Sequence, residues 1–202
     1  MMAGLSDANA NADANANAAL VDRLRRGDRA AFRDLYARFA QASFGFLLRL
    51  AGRRHAAEDL HQEVWLSIAR HAARLAPDTD LAAWIFTVAR NRFVSSRRRA
   101  DVAAPGPDAG TLDEISSGAS PADDPGCRDL ERALASLPEM HREVLLLVGV
   151  EGLDIAQAAA VLAIRPDAAR QRLARARAAL AEALADAEAA PETVPVGRKA
   201  SS

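Results

Sequence analysis

Three groups of side chains in this chain have the types and spacing to do chemistry, and all three point to binding. Arg165, Arg170, Gln171, Arg172 and Arg175 crowd into one short stretch. A guanidinium fork can take the O6 and N7 of guanine and a side-chain amide the N6 and N7 of adenine, each pair worth about 1–3 kcal/mol of discrimination. In the second group Arg90, Asn91, Arg97, Arg98 and Arg99 are interleaved with Phe86 and Phe93 at helical spacing. Rings that stack on bases beside arginines that neutralise phosphate are what single-stranded nucleic acid requires. Two rings buried under a neighbouring helix, with solvated arginines beside them, give the same spacing. The third group is Asp59, Gln62, Glu63 and Leu66, which share a face at 100° per residue. An apolar anchor inside a polar rim suits a protein interface, and a solvated helix face with one stray leucine is the commoner source of the same pattern. Catalysis finds no comparable set. His55, His61, His71 and His141 lack metal-ligand spacing, and the sequence has neither a phosphate-cradling glycine loop nor a serine nucleophile elbow. No catalytic residue, metal, cofactor or small-molecule substrate is expected.

Helices must position these groups. Of 202 residues 49 are alanine, the best helix former, while the β-branched residues that strands favour are few. The expected fold is therefore all-α. Asp28 is placed to cap a helix through Phe32, Leu35, Phe39, Phe46 and Leu50 that Gly52 ends. Ala57, Leu60, Val64, Ile68 and Leu75 form a core-facing stripe on the next. Asp80 caps a third helix, with Leu81, Trp84, Ile85 and Val88 on one face and Phe86, Arg90, Phe93 and Arg97 on the other. Further on, Leu130, Leu134 and Leu137 form a helix ended by Pro138, and the apolar stretch from Val144 stops at Gly149. Asp154 caps a short helix from Ile155 to Leu162, Ala163-Ile164-Arg165 turns, and Pro166 opens a long helix at the position where its missing N–H costs nothing. Short helix, three-residue turn and second helix is the helix-turn-helix layout.

Charge divides the chain further. The net charge of −1 is a cancellation: residues 21–100 hold 16 arginines against 8 acids, residues 101–127 hold 6 acids and no base, and residues 128–185 balance 8 against 8. The acidic stretch carries Pro105, Pro107, Pro121 and Pro125 with Gly106, Gly110 and Gly118, so it reads as a flexible linker. The Asn-Ala repeat from Ala8 to Ala18 is low-complexity. The resulting organisation is a disordered N-terminus (1–19), a first helical domain (20–100), an acidic linker (101–127), a helix-turn-helix domain (128–186) and a disordered tail (187–202). Cys127 stands alone, so no disulfide framework forms within one chain. With neither a signal peptide nor an apolar run able to span a bilayer, a cytoplasmic protein without direct membrane insertion is expected.

Order and spacing give a family resemblance. Ala57-Glu58-Asp59-Leu60-His61-Gln62-Glu63-Val64 precedes Trp84-Ile85-Phe86-Thr87-Val88-Ala89-Arg90-Asn91; after the linker come Leu134 to Pro138, Arg142-Glu143-Val144-Leu145-Leu146-Leu147, Glu151-Gly152-Leu153 and the helix-turn-helix. From about residue 20 to 185 the chain resembles the extracytoplasmic-function (ECF) sigma factors of bacterial RNA polymerase. The resemblance implies a subunit that binds core polymerase, recognises minus-thirty-five and minus-ten promoter elements and helps melt DNA, with no chemistry of its own. It implies that Asp59, Gln62, Glu63 and Leu66 meet the polymerase clamp helices. The turn from Leu75 to Asp80, with Asp78 and Thr79, would capture a flipped minus-ten base, and Arg90, Asn91, Arg97 and Arg98 would track the opening strand. Arg165, Arg170, Gln171, Arg172 and Arg175 would read the minus-thirty-five element, and an anti-sigma factor would be a partner. Some positions depart from the family: Ser95 stands for the usual Asp, Ala163 for the turn Gly, Arg165 for Ser or Pro, Asp167-Ala168-Ala169 for Gly-Thr-Val, and Gln157 for Glu. The competing function is a helix-turn-helix regulator that does not engage polymerase.

Overall fold

A computed structural model of the chain describes residues 15–103 and 125–189, and every regular element among them is helical. The first half comprises α1 (residues 15–25), α2 (Arg29–Ala51), α3 (Arg54–His71), a 3-10 turn (Ala72–Arg74) and α4 (Leu81–Ala103). The second comprises α5 (Pro125–Ser136), α6 (Glu139–Leu145), a π-helical turn (Leu146–Val150), α7 (Ile155–Leu162) and α8 (Pro166–Ala189).

Local chemistry sets the boundaries where the sequence places them. Asp28 Oδ1 accepts from the Ala30 N–H at 2.8 Å and starts α2, and Gly52 ends it at φ 72°, a backbone conformation that only glycine adopts without strain. Asp80 Oδ1 accepts from the Ala83 N–H at 3.0 Å at the start of α4. Leu35, Phe46, Leu47, Val64, Ile68, Leu81, Ile85 and Phe86 build the buried centre of the first bundle, with the Phe46 and Phe86 rings edge-on at 5.4 Å. An edge-on pair of this kind is favoured by the ring quadrupoles.

Some boundaries move. Residues 15–19, expected to be disordered, belong to α1; α4 and α5 reach into both ends of the expected linker, and α8 continues to Ala189. Residues 1–14, 104–124 and 190–202, on which the rest of the disorder and linker expectations fall, lie outside the described residues. The apolar stretch does not stop at Gly149 but runs on to Val150, closed by the Glu151 N–H donating to Leu146 O at 2.9 Å.

In the second bundle the helix-turn-helix is fixed at both ends of α7. Asp154 Oδ1 accepts from the Gln157 N–H, and Gln157 Oε1 accepts from the Asp154 N–H, both at 2.8 Å, a reciprocal capping box. At the far end Ala163 N–H donates to Ala160 O and Ile164 N–H to Ala159 O, the Schellman pattern, which puts Ala163 at φ 54°. Among the described residues it is the sole non-glycine with positive φ. Arg142 caps α5 from outside, donating Nε to Leu134 O and Nη2 to Leu137 O, each at 3.0 Å. The two bundles are packed together, α7 on α4 and α5 and α6 on α2, so the buried apolar side chains form one continuous cluster.

Candidate nucleic-acid interface

On α3 the buried stripe of Leu60, Val64, Trp65 and Ile68 turns the opposite face outward. Asp59 and Gln62 are exposed and Leu66 is 49% exposed, an apolar side chain standing in water with polar neighbours. Glu63 is half-buried, its carboxylate facing Arg92 at 3.9 Å and Arg99 at 3.7 Å on α4. The expected protein-binding face is thus assembled, with Glu63 tied to the neighbouring helix. Behind it, His61 Nε2 lies 2.8 Å from the Trp65 indole N–H and 3.0 Å from Ala40 O. Burial holds the imidazole pKa below its ordinary value, which favours the neutral ring accepting from Trp65. His61 is a packing residue.

The turn before α4 is held from both sides. Thr79 Oγ1 donates to Ala76 O at 2.8 Å, and the Thr79 carbonyl accepts from Asn17 Nδ2 at 2.9 Å. Asp78 is exposed beside it. Along α4, Asn91, Arg97, Arg98 and Arg99 are exposed, but Phe86 and Phe93 are each only 2% exposed. With the bundles packed together both rings belong to the core, Phe86 edge-on to Phe46 of α2, so this structure does not offer them for the stacking role that their spacing permitted. Arg90 is also withdrawn from solvent. Its Nε donates to Glu143 Oε1 at 2.8 Å across the boundary between the bundles, with the two side chains 21% and 3% exposed. Burial pushes the Glu143 carboxyl pKa up, and Arg90 pulls it back down.

On the second bundle the buried side of α8 is Ala169, Leu173 and Ala176. Arg165, Arg170, Gln171 and Arg175 all face solvent, with Arg170 paired to Asp167 one turn earlier. Arg172 is half-buried, and its charge acts on Glu143. Four of the five candidate base-reading groups are therefore exposed, Arg165 in the turn before α8 and Arg170, Gln171 and Arg175 on the helix itself, the placement a major-groove reader needs.

Two family models match in this order: Sigma-70 region 2 over residues 35–102 and Sigma-70 region 4 over residues 127–180. The RNA polymerase sigma factor CarQ of Myxococcus xanthus is 36% identical over 173 residues, covering 83% of this chain and 97% of that protein. The ECF RNA polymerase sigma factor SigF of Caulobacter vibrioides is 35% identical over 174 residues, covering 84% and 94%. The chain belongs to the ECF sigma factors. Among solved structures, the sigma factor RpoE in complex with the anti-sigma factor NepR from Bartonella quintana superposes on this sigma factor with a TM-score of 0.68 and 25% identity, over 76% of this chain and 96% of that one. CnrH, in complex with the cytosolic domain of CnrY, shares the fold at a TM-score of 0.65 and 24% identity, over 86% and 99%.

Four residues of this sigma factor that matter to the interface escape a reading of the sequence. Asn17 sits in a low-complexity repeat and gives no signal. Arg142 looks like one more surface arginine, although burial lowers its pKa and its donors serve α5. Glu143 carries a readable sign, an acid against the apolar run Val144 to Val148. Gln157 stands out only as the departure from Glu, and its Nε2 donates to Asp80 Oδ2 at 2.6 Å.

Proposed function

We propose that this sigma factor meets core RNA polymerase through Asp59, Gln62 and Leu66 with Glu63 at the rim, holds the minus-ten element with Asp78, Thr79, Asn91, Arg97 and Arg98, and reads the minus-thirty-five element with Arg165, Arg170, Gln171 and Arg175. Arg90 joins the minus-ten set once its ion pair with Glu143 is released, and the half-buried Arg172 joins the minus-thirty-five set. The observation that carries this is the match to regions 2 and 4 in one chain, with a polar exposed face on α3 and another on α8. The same region 2 match argues against a helix-turn-helix regulator that ignores polymerase. Polymerase and promoter DNA would set its place of work in the cytoplasm; among the described residues no helix is long and apolar enough to cross a membrane. The superposed sigma factor RpoE is bound to the anti-sigma factor NepR. We propose a partner of the anti-sigma class for this chain as well.

Run-off transcription with purified core enzyme and genomic promoter fragments is the test. Initiation above core enzyme alone is expected. The double variant Asp59→Ala, Gln62→Ala should abolish it and lose binding to core enzyme, while retaining the helical circular-dichroism signal. Retained core binding in that variant would move the polymerase contact off α3.

A further inference from the structure

At the start of α1, residues 15, 16, 18 and 19 are exposed, whereas Asn17 is half-buried. It stands three, four and seven positions before Leu20, Val21 and Leu24, the spacing of one helix face. Those three side chains are buried in the first bundle. Arg23 ties α1 down a second time, donating Nε to Asp28 Oδ2 and Nη1 to Asp34 Oδ2, both at 2.9 Å. A helix anchored in this way presents Asn17 Nδ2 as a placed donor, and it meets the Thr79 carbonyl at 2.9 Å, 62 residues further along the chain. Thr79 is then engaged through every polar group it has. Its N–H and its Oγ1 both donate to Ala76 O, at 3.1 and 2.8 Å, and its carbonyl accepts from Asn17. The first two bonds lie inside the turn and give it shape. Its place on the bundle is set by the buried Leu75 at one end, by the Asp80 cap at the other, and between them by Asn17. Asp78, next to Thr79, is left exposed.

We propose that Asn17 is a positioning residue for promoter recognition: through the Thr79 carbonyl it holds the turn from Leu75 to Asp80 in the arrangement that receives an unstacked minus-ten base. The contact stands on the geometry alone, while the ligand of the turn rests on the sigma-factor function proposed above. Asn17 acts through Thr79 and not on DNA. A turn without this bond can still take the same arrangement but spends less time in it, and the affinity for the base falls by that fraction. The Asn-Ala repeat thereby acquires a role at its last asparagine, which α1 carries to the turn.

The experiment uses the full chain as wild type, Asn17→Ala, Asn17→Asp and Asn15→Asp. Alanine is the better helix former, so Asn17→Ala removes the donor without weakening α1. Asn17→Asp keeps the side-chain size and sets an acceptor against the Thr79 carbonyl. Asn15→Asp adds the same charge at an exposed position two residues away and serves as the charge control. Hydrogen exchange read by mass spectrometry on peptides covering residues 75–84 reports the turn by itself. Both Asn17 variants should exchange there about two- to tenfold faster than wild type, the range that one neutral hydrogen bond commands, with Asn15→Asp unchanged. Each chain is then assembled with core enzyme and titrated against two fluorescein-labelled single strands. One is the non-template strand across the minus-ten region of a promoter fragment active in run-off transcription, and the other is a shuffled strand of the same composition. Both Asn17 variants should lose preference for the promoter strand by a similar factor. Core binding should stay at the wild-type level, and affinity for the shuffled strand should match wild type for Asn17→Ala and Asn15→Asp for Asn17→Asp. Unchanged exchange overturns the proposal, as does faster exchange with unchanged preference, or an equal loss of preference in Asn15→Asp. If the Asn17 variants exchange faster but the wild-type holoenzyme prefers no promoter strand, the contact holds and the minus-ten function is what fails.

Discussion

Glu143 and Glu151 are carboxylates that the fold takes out of water, and it compensates only one of them with an ion pair. Glu143 has Arg90 at 2.8 Å; breaking such a buried pair from one side costs about 3–5 kcal/mol, because the remaining charge is stranded. Glu143→Ala is therefore expected to lower stability by that amount in chemical denaturation. Glu151 has only the more distant Arg49 charge, and burial raises its pKa from 4.5 to about 7. A carboxyl whose folded pKa lies above its unfolded value binds its proton more tightly in the folded state. Its contribution is intact in acid and is lost as pH rises from about 4.5 through 7. Glu151→Gln should thus be more stable than wild type at pH 8 by about 1–3 kcal/mol and show no gain at pH 4. Ala163 carries a third local cost. An L-residue in the left-handed region costs about 1–2 kcal/mol, so Ala163→Gly is expected to raise the thermal midpoint, with the gain reduced by the extra freedom of glycine in the unfolded chain. The caps Asp28, Asp80 and Asp154 were legible because capping is decided within three or four residues. The burial of Glu143 and Glu151 was not, because their surroundings include residues of α4 and α2 about fifty and about a hundred positions away along the chain.

α4 shows where helical periodicity stops being informative. For α2 and α3 the apolar stripe named the buried face correctly, since each leaves a wide face to water. α4 is packed by α2, α3 and α7, so Leu81, Ile85 and Ala89 are buried together with Phe86 and Phe93. Its sequence showed an apolar face and a mixed face, and only the neighbours determined that the rings of the mixed face were core. Phe86→Ala should accordingly cost about 3–5 kcal/mol of stability, where a base-stacking residue would have cost DNA binding alone. Arg97 and Arg98 near the C-terminal end of α4 stay exposed. Removing Arg97 and Arg98 together should reduce the log–log salt slope for single-stranded DNA binding by about 1.4, at 0.7 per phosphate contact.

Between the bundles, the charge partition acquires a structural meaning. The first bundle carries the excess of arginines, yet Arg90, Arg92 and Arg99 are engaged with Glu143 or Glu63, which leaves Asn91, Arg97 and Arg98 as the open part of that surface. The neutral second bundle contributes the acids that meet it, with Glu131 also lying 3.6 Å from Arg49. Shared apolar burial makes the halves one cooperative unit, and calorimetry of wild type is expected to give a single transition that Glu143→Ala splits in two.

Helical class, the capped boundaries, the helix-turn-helix and the family were all fixed by the order of residues, because each rests on local propensity, short-range hydrogen bonding or motifs read in series. Which arginines remain free, which rings are core and how the two bundles meet were decided by tertiary structure. Those outcomes depend on desolvation, and a side chain is desolvated by whatever packs over it, however far away in the sequence that neighbour lies.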